Sequence, residues 1–277
     1  MKARTHPHHK WNDSFSVAKM DRWQVFSREE WKIENLQEIL NRHRDSFSGG
    51  KECVVKEGRR AAVTLFEFAG RTVCVKEYRS KGIGLKLKEL LRGSKARKAW
   101  VKGNEIFKRG ITAINPVALV EKRRWGYLKE AFLIMESHPG FVDLRSYARD
   151  GFGDPQRGRT RKRVFMRQLA AFLAGLYNLK IAHRDLKITN ILVKEIDHRW
   201  SFALTDWEDL ELDKQITSNR LVKGLVQMNT SDPLFFSVRD RLWFLREYFT
   251  LIGRDDVKRV SREVIRRSEK RGWAAPI

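Results

Sequence analysis

The spacing of apolar residues changes character several times along the chain. Trp31, Leu36, Ile39 and Leu40 recur at near-helical spacing. Ser27-Arg28-Glu29-Glu30 ahead of them reads as a capping box, so a helix is expected there, ending before Gly49-Gly50. The period then falls to two. Residues 52–56, 62–68 and 71–78 are rich in Val, Phe and Thr and are separated by turn-like stretches around Gly58 and Gly70, which predicts an antiparallel meander. A helix over about 94–109 should end at Gly110-Ile111, and two further strands are expected at 117–121 and 127–136, the second with Phe132, Leu133, Ile134 and Met135 buried. Residues 141–148 suggest a short helix. Phe165, Leu169, Phe172, Leu173 and Leu176 mark an amphipathic one whose apolar face is core. Strands at 191–193 and 202–205 follow, then a helix capped at Ser237 carrying Leu242, Trp243, Leu245 and Phe249, and a basic helix over about 255–271. Residues 1–20 are expected to be a flexible tail; His6, His8 and His9 within it read as a polar tail rather than a metal site.

Composition narrows the class. The 277 residues are 42% hydrophobic, enough for a folded core in one large domain or two lobes around a cleft. Cys53 and Cys74 are the only cysteines and both lie in apolar strand-like segments, as buried thiols in a reducing compartment would. No secretory signal opens the sequence, and the longest apolar stretch, 169–179, is too short to span a bilayer. A soluble or peripheral cytoplasmic protein is expected. The net charge of +23 calls for an anionic partner, such as nucleic acid, an acidic membrane or a phosphorylated or carboxylated substrate. The charge is dispersed, with denser clusters at 81–98, 157–163 and 258–271, and selects none of these alone.

The candidate chemistry centres on Ile181-Ala182-His183-Arg184-Asp185-Leu186-Lys187-Ile188-Thr189-Asn190-Ile191-Leu192-Val193. It closely matches the kinase catalytic loop H-R-D-L-x-x-x-N, helix before and apolar strand after. In that chemistry Asp185 accepts or orients the proton of an attacking hydroxyl, Lys187 sits against the transferring phosphoryl group, and Asn190 holds a metal ion. Asp206, ending an apolar strand in Asp206-Trp207-Glu208, stands where a D-F-G signature has its metal-binding acid, with Trp and Glu replacing Phe and Gly. Lys76, in Val73-Cys74-Val75-Lys76, resembles the V-A-I-K lysine that meets the α and β phosphates, and it shares a strand face with Thr72 and Cys74. Gly58, in Glu57-Gly58-Arg59-Arg60-Ala61, is the poorest match, one glycine where the phosphate-covering loop has three. An ordinary hairpin turn is the equal alternative there. No Ala-Pro-Glu follows Asp206, so a protein kinase's activation segment and much of its peptide-docking lobe are expected to be missing.

These features together resemble the lipopolysaccharide core kinase family, the Kdo and heptose kinases. The resemblance is carried by Val75-Lys76-Glu77-Tyr78, Ser94-Lys95-Ala96-Arg97-Lys98-Ala99-Trp100, Arg109-Gly110-Ile111-Thr112 with Pro116, the loop 183–190, and Asp206. Leu225-Val226-Gln227-Met228-Asn229 and Asp240-Arg241-Leu242-Trp243-Phe244-Leu245-Arg246 add to it. It implies an α+β, bilobal protein-kinase-like fold with a small antiparallel-sheet N-lobe and a reduced, mainly helical C-lobe. The expected divisions are a tail at 1–20, an N-lobe with its N-terminal helix at 21–136, and a C-lobe with the catalytic loop at 137–277. Residues 136–138 would form the hinge. The resemblance further implies ATP and Mg²⁺ as cofactors, a glycolipid acceptor of the lipopolysaccharide core phosphorylated on a Kdo or heptose hydroxyl, and peripheral contact with an anionic membrane on the cytoplasmic face of the inner membrane. Nucleic acid is not an expected partner. Relatives often carry glutamate just before the helix tryptophan; here that position is Ala99, and Glu105 is the candidate to replace it as partner of Lys76. An atypical protein serine/threonine kinase, suggested by Lys187, and a non-catalytic kinase-fold binding protein, suggested by the sparse glycine loop and Ala99, are the alternatives.

Overall fold

The computed structural model describes residues 15–20, 23–49, 51–79, 93–112, 114–125, 127–137, 139–152, 159–197, 199–231 and 236–272. They fall into two compact units, Met1–Phe107 with Ile114–His138, and Lys108–Ala113 with Pro139–Ile277.

The first unit is a seven-stranded antiparallel sheet with a helix associated with each face. Its strands are β1 (Phe15–Met20), β2 (Trp23–Arg28), β3 (Val54–Glu57), β4 (Ala61–Phe68), β5 (Arg71–Tyr78), β6 (Asn115–Arg124) and β7 (Tyr127–Ser137), in the order β1-β2-β6-β7-β5-β4-β3. Directly paired residues share a face. Val25, Val120 and Phe132 are in register on one side, with α1 (Ile33–Asp45) laying Leu36, Ile39 and Leu40 against them. Each such side chain fully buried contributes about 1.5–3 kcal/mol. Phe26, Leu119, Leu133 and Lys76 form the row on the other side. α2 (Lys95–Lys108) meets that side: the Arg97 guanidinium lies 4.7 Å over the Phe26 ring, and Arg28 donates to Asn104 at 3.2 Å while covering Phe107. Ser94 caps α2 by accepting the Arg97 N–H at 2.9 Å, and its hydroxyl donates to the fully buried carboxylate of Glu121. Arg123 at 3.0 Å and Arg97 at 3.5 Å supply the charge that this buried acid requires.

Two expectations are corrected in this unit. Residues 15–20, expected in a flexible tail, form β1, paired with β2 from Phe15↔Arg28 to Met20↔Trp23. The expected capping box does not start the helix either: Ser27 and Arg28 belong to β2, where Ser27 Oγ is engaged with Ser16 Oγ at 3.0 Å, and α1 starts after Lys32 with no side-chain cap. Cross-strand pairing competes successfully for a hydroxyl that local spacing had assigned to a helix end.

The second unit is mainly helical. β8 (Val142–Asp143) leads into α3 (Leu144–Gly151), with Asp143 accepting the N–H groups of Arg145 and Ser146 at 3.0 and 3.2 Å. The helix expected from 141 therefore starts at Leu144. α4 (Arg159–Asn178) packs along α6 (Val238–Leu251), while α5 (Ser218–Ser231) packs on α7 (Val257–Glu269). Ser237 and Asp240 form a reciprocal capping box at the start of α6, as its sequence predicts. Phe165, fully buried, is ringed by Tyr147, Phe152, Trp200, Phe202 and Phe236 with ring centroids 5.1–6.3 Å away. Short strands complete the unit: β9 (Ala182–His183), β10 (Ile191–Ile196), β11 (Arg199–Leu204) and β12 (Leu210–Glu211), in two sheets ordered β11-β10-β8 and β12-β9. Among the described residues no helix is long and apolar enough to cross a membrane. Most of the basic, leucine-containing stretch at 81–98 and His138 of the expected hinge lie outside them.

Candidate active site

The charged loop lies between β9 and β10 and is fastened by side chains of its own motif. His183 is buried and takes both roles of a neutral imidazole: Nδ1 accepts the Asp185 N–H at 3.1 Å, so Nε2 carries the proton given to the Thr205 carbonyl at 2.9 Å. Arg184 is tied to Asp209, backbone to backbone at 2.9 Å and guanidinium to carboxylate at 2.5 Å. Asn190 Nδ2 donates to the Asp185 carbonyl at 2.8 Å. Three side chains of the motif thus shape the turn.

The Asp185 carboxylate is gripped on both oxygens. Lys187 Nζ donates to Oδ2 at 2.8 Å, and Gln227 Nε2 to Oδ1 at 3.1 Å. Gln227 comes from α5 and does more: its Nε2 also reaches the Arg184 carbonyl at 3.0 Å, and its Oε1 accepts the Leu186 N–H at 3.2 Å. One turn further on, Ser231 Oγ accepts the Ile188 N–H at 3.2 Å. Neither anchor was a candidate from sequence. The available signal was the polar Gln227 between the apolar Leu225-Val226 and Met228, but nothing local says which loop it meets.

Asn190 and Asp206 come together through the β10–β11 pairing. Ile191 stands opposite Leu204, and Thr205 N–H donates to the Asn190 carbonyl at 3.0 Å, so the two residues occupy one end of the ribbon. Asp206 adopts φ 54°, ψ 47°, the left-handed region. Trp207, the replacement for Phe, is buried at 2% exposure and donates Nε1–H to the Leu204 carbonyl at 2.6 Å, so the bulkier ring locks this turn. With Asn190 Nδ2 committed to Asp185, its side-chain oxygen and the Asp206 carboxylate are hard oxygen donors suited to Mg²⁺, which keeps several waters and takes one or two protein ligands beside phosphate oxygens. No cluster of three or more His, Cys, Asp or Glu among the described residues could hold a metal without such help.

The remaining candidates lie in the first unit. Lys76 projects from the face of β5 that α2 meets, its Nζ 4.8 Å over the Tyr78 ring. Cys74, two residues earlier on that face, has its thiol pushed up to about 12 by burial, which disfavours the thiolate; both cysteines are free thiols. Glu105 is half-buried on α2. It lies six residues past fully buried Ala99, about 120° around the helix, so it does not occupy the same helical face. Gly58 sits in the β3–β4 hairpin with its N–H donated to the Ala61 carbonyl at 3.0 Å, which removes that amide from phosphate binding. Its φ is not positive, and an added Cβ would meet only the Ala61 carbonyl oxygen at 3.5 Å, so nothing in the turn demands glycine.

Comparison with known proteins places this geometry. The model of the "Kdo: Lipopolysaccharide kinase (Kdo/WaaP) family" matches residues 45–248. A solved structure described as "WaaP in complex with acyl carrier protein" is similar with a TM-score of 0.58 and 22% identity, over 78% of this chain and 87% of that one. At that identity it shows the fold, an α+β protein-kinase-like one. No curated protein sequence is significantly similar to the chain.

Proposed function

The chain belongs to the lipopolysaccharide kinase (Kdo/WaaP) family and is therefore a phosphotransferase, and from that premise we propose that it moves the γ-phosphoryl group of ATP to a Kdo or heptose hydroxyl of the lipopolysaccharide inner core. The observation that carries the reading is the Asp185 carboxylate, fixed by Lys187 on one oxygen and Gln227 on the other beside the Asn190–Asp206 ribbon end. A base held on both oxygens keeps its geometry as the acceptor oxygen approaches. The acceptor O–H gives its proton to Asp185 as the new O–P bond forms and the bond from the γ-phosphorus to the β-phosphate oxygen breaks, with ADP leaving. Lys187 balances charge on the transferring group. Asn190 and Asp206 would hold Mg²⁺, whose charge offsets that of the phosphates. Lys76 serves the α and β phosphates. We assign Gly58 no phosphate contact through its amide. The cytoplasmic face of the membrane, where nucleotide and lipid-anchored acceptor meet, is the place this chemistry requires.

Labelled ATP offered with deacylated core oligosaccharide and, separately, a generic protein substrate tests the reading. Label is expected in the oligosaccharide; label in the protein, or in neither, contradicts it.

Two substitutions probe how the site is held. Gln227→Glu retains an oxygen for the Leu186 N–H but removes the donor to Asp185 and sets a second carboxylate against it. It also loses the donor to the Arg184 carbonyl, so kcat should fall about 10–100-fold, the usual cost of a supporting partner, with nucleotide KM little changed. Unchanged kcat would make Gln227 a loop tether only. Glu105→Gln tests whether Glu105 orients Lys76: turnover should fall about tenfold with stability altered by less than about 0.5 kcal/mol. Wild-type turnover assigns Glu105 to the helix surface.

A further inference from the structure

We propose that the β6–β7 hairpin tip, with Trp125 at its apex, is the surface by which this protein docks on an anionic lipid bilayer. Trp125 is 83% exposed and Tyr127 beside it 45%. Scattered exposed apolar residues are ordinary, but this one stands at a position that disfavours it. Arg124 pairs with Tyr127, which leaves a two-residue connection of Trp125 and Gly126, and Trp125 has φ 51°. Tight hairpins of this kind favour Asn, Asp or Gly at a left-handed position, whereas a bulky side chain there is strained. The indole therefore gains nothing from the core and burdens the turn. Contact with something outside the chain would account for it.

The surrounding charge identifies the partner. Lys122, Arg124 and Lys129 flank the apex, while Arg123 serves the buried Glu121; the half-buried Glu130 is already engaged by Arg44 and Lys122 at 2.9 and 3.2 Å. The Arg124 guanidinium lies 4.5 Å over the Trp125 ring. Tryptophan favours the headgroup level of bilayers, where its ring is half in hydrocarbon and its N–H meets water, and neighbouring cations meet anionic headgroups. A single convex indole does not form the grooved platform of several aromatic rings on which nucleic-acid bases stack. The docking deepens the function proposed above, because a lipid-anchored acceptor gives it a use.

Trp125→Asn is the informative variant, since asparagine tolerates the left-handed turn and Tm should hold or rise. Co-sedimentation is read with vesicles of phosphatidylethanolamine and phosphatidylglycerol, and with neutral phosphatidylcholine vesicles. The wild type should bind the anionic vesicles at low salt, release at high salt, and ignore the neutral ones. Trp125→Asn should weaken binding about tenfold, through loss of the buried apolar area. Arg124→Gln should weaken it about fivefold, the share of one cation near an acidic surface. Both variants should phosphorylate a deacylated, water-soluble core oligosaccharide as the wild type does. Undiminished vesicle binding by Trp125→Asn overturns the proposal. So does duplex DNA that strips the wild type from vesicles, or equal binding to neutral vesicles. A wild type that binds vesicles but phosphorylates no core sugar would leave the docking surface standing and defeat the functional reading instead.

Discussion

Asp185→Asn should lower turnover by about 10²–10⁴-fold, the span that a positioned general base contributes, while nucleotide affinity stays near wild type. The asymmetry follows from where the carboxylate is held. Its contacts are Lys187, Gln227 and, through its carbonyl, Asn190, all within the loop and α5 of one unit. An amide keeps the shape and can accept a hydrogen bond from Lys187 or from the acceptor hydroxyl, but it cannot take the proton. Stability should change little, because Asp185 is half-exposed and the loop's buried tie runs instead through His183. Turnover by stopped assay and nucleotide affinity by calorimetry give the two readings. Turnover near wild type would remove Asp185 from the chemistry.

Asp206→Asn should act on the other half of the reaction. The left-handed backbone at φ 54° makes alanine a poor test, since it would strain the turn and blur loss of function with loss of fold. Asparagine tolerates this conformation, so the turn, held by Trp207 in its buried position, should persist. What is lost is a formal negative charge at a hard-cation ligand. Even an outer-shell partner typically costs 10–100-fold, so Mg²⁺-dependent nucleotide affinity should fall by more than about 100-fold. Affinity titrated against Mg²⁺ concentration checks this, and a superimposable Mg²⁺ dependence in the variant would contradict the assignment.

The parts of this site that the sequence disclosed are those built from adjacent residues or from one strand's period. The loop 183–190 carries its own fastenings, since His183, Arg184 and Asn190 each bond within the loop or to 205–209. Alternation alone put Thr72, Cys74 and Lys76 on one face, opposite the buried Val73 and Val75. What stayed hidden is non-local. Gln227 reaches Asp185 across 42 residues and belongs to α5, a helix the sequence reading did not anticipate. The β1–β2 pair went unread because its connection, Asp21-Arg22, has no Asn-Gly or Asp-Gly signal, and Ser27 offered a competing helix start. The sheet therefore holds two strands beyond the meander and the two further strands expected from the sequence, with β1 at its edge. Gly58 shows the converse. A glycine in the expected place is occupied with closing a hairpin, a backbone commitment that composition cannot reveal.

The mass of the product is the most direct test of the central claim. Deacylated core oligosaccharide incubated with the wild-type protein, ATP and Mg²⁺ should gain one phosphoryl unit, localised by fragmentation to a Kdo or heptose residue, and the same incubation with Asp185→Asn should leave its mass unchanged. An oligosaccharide unaltered by the wild type, with ATP hydrolysed or a protein phosphorylated in its place, would contradict it.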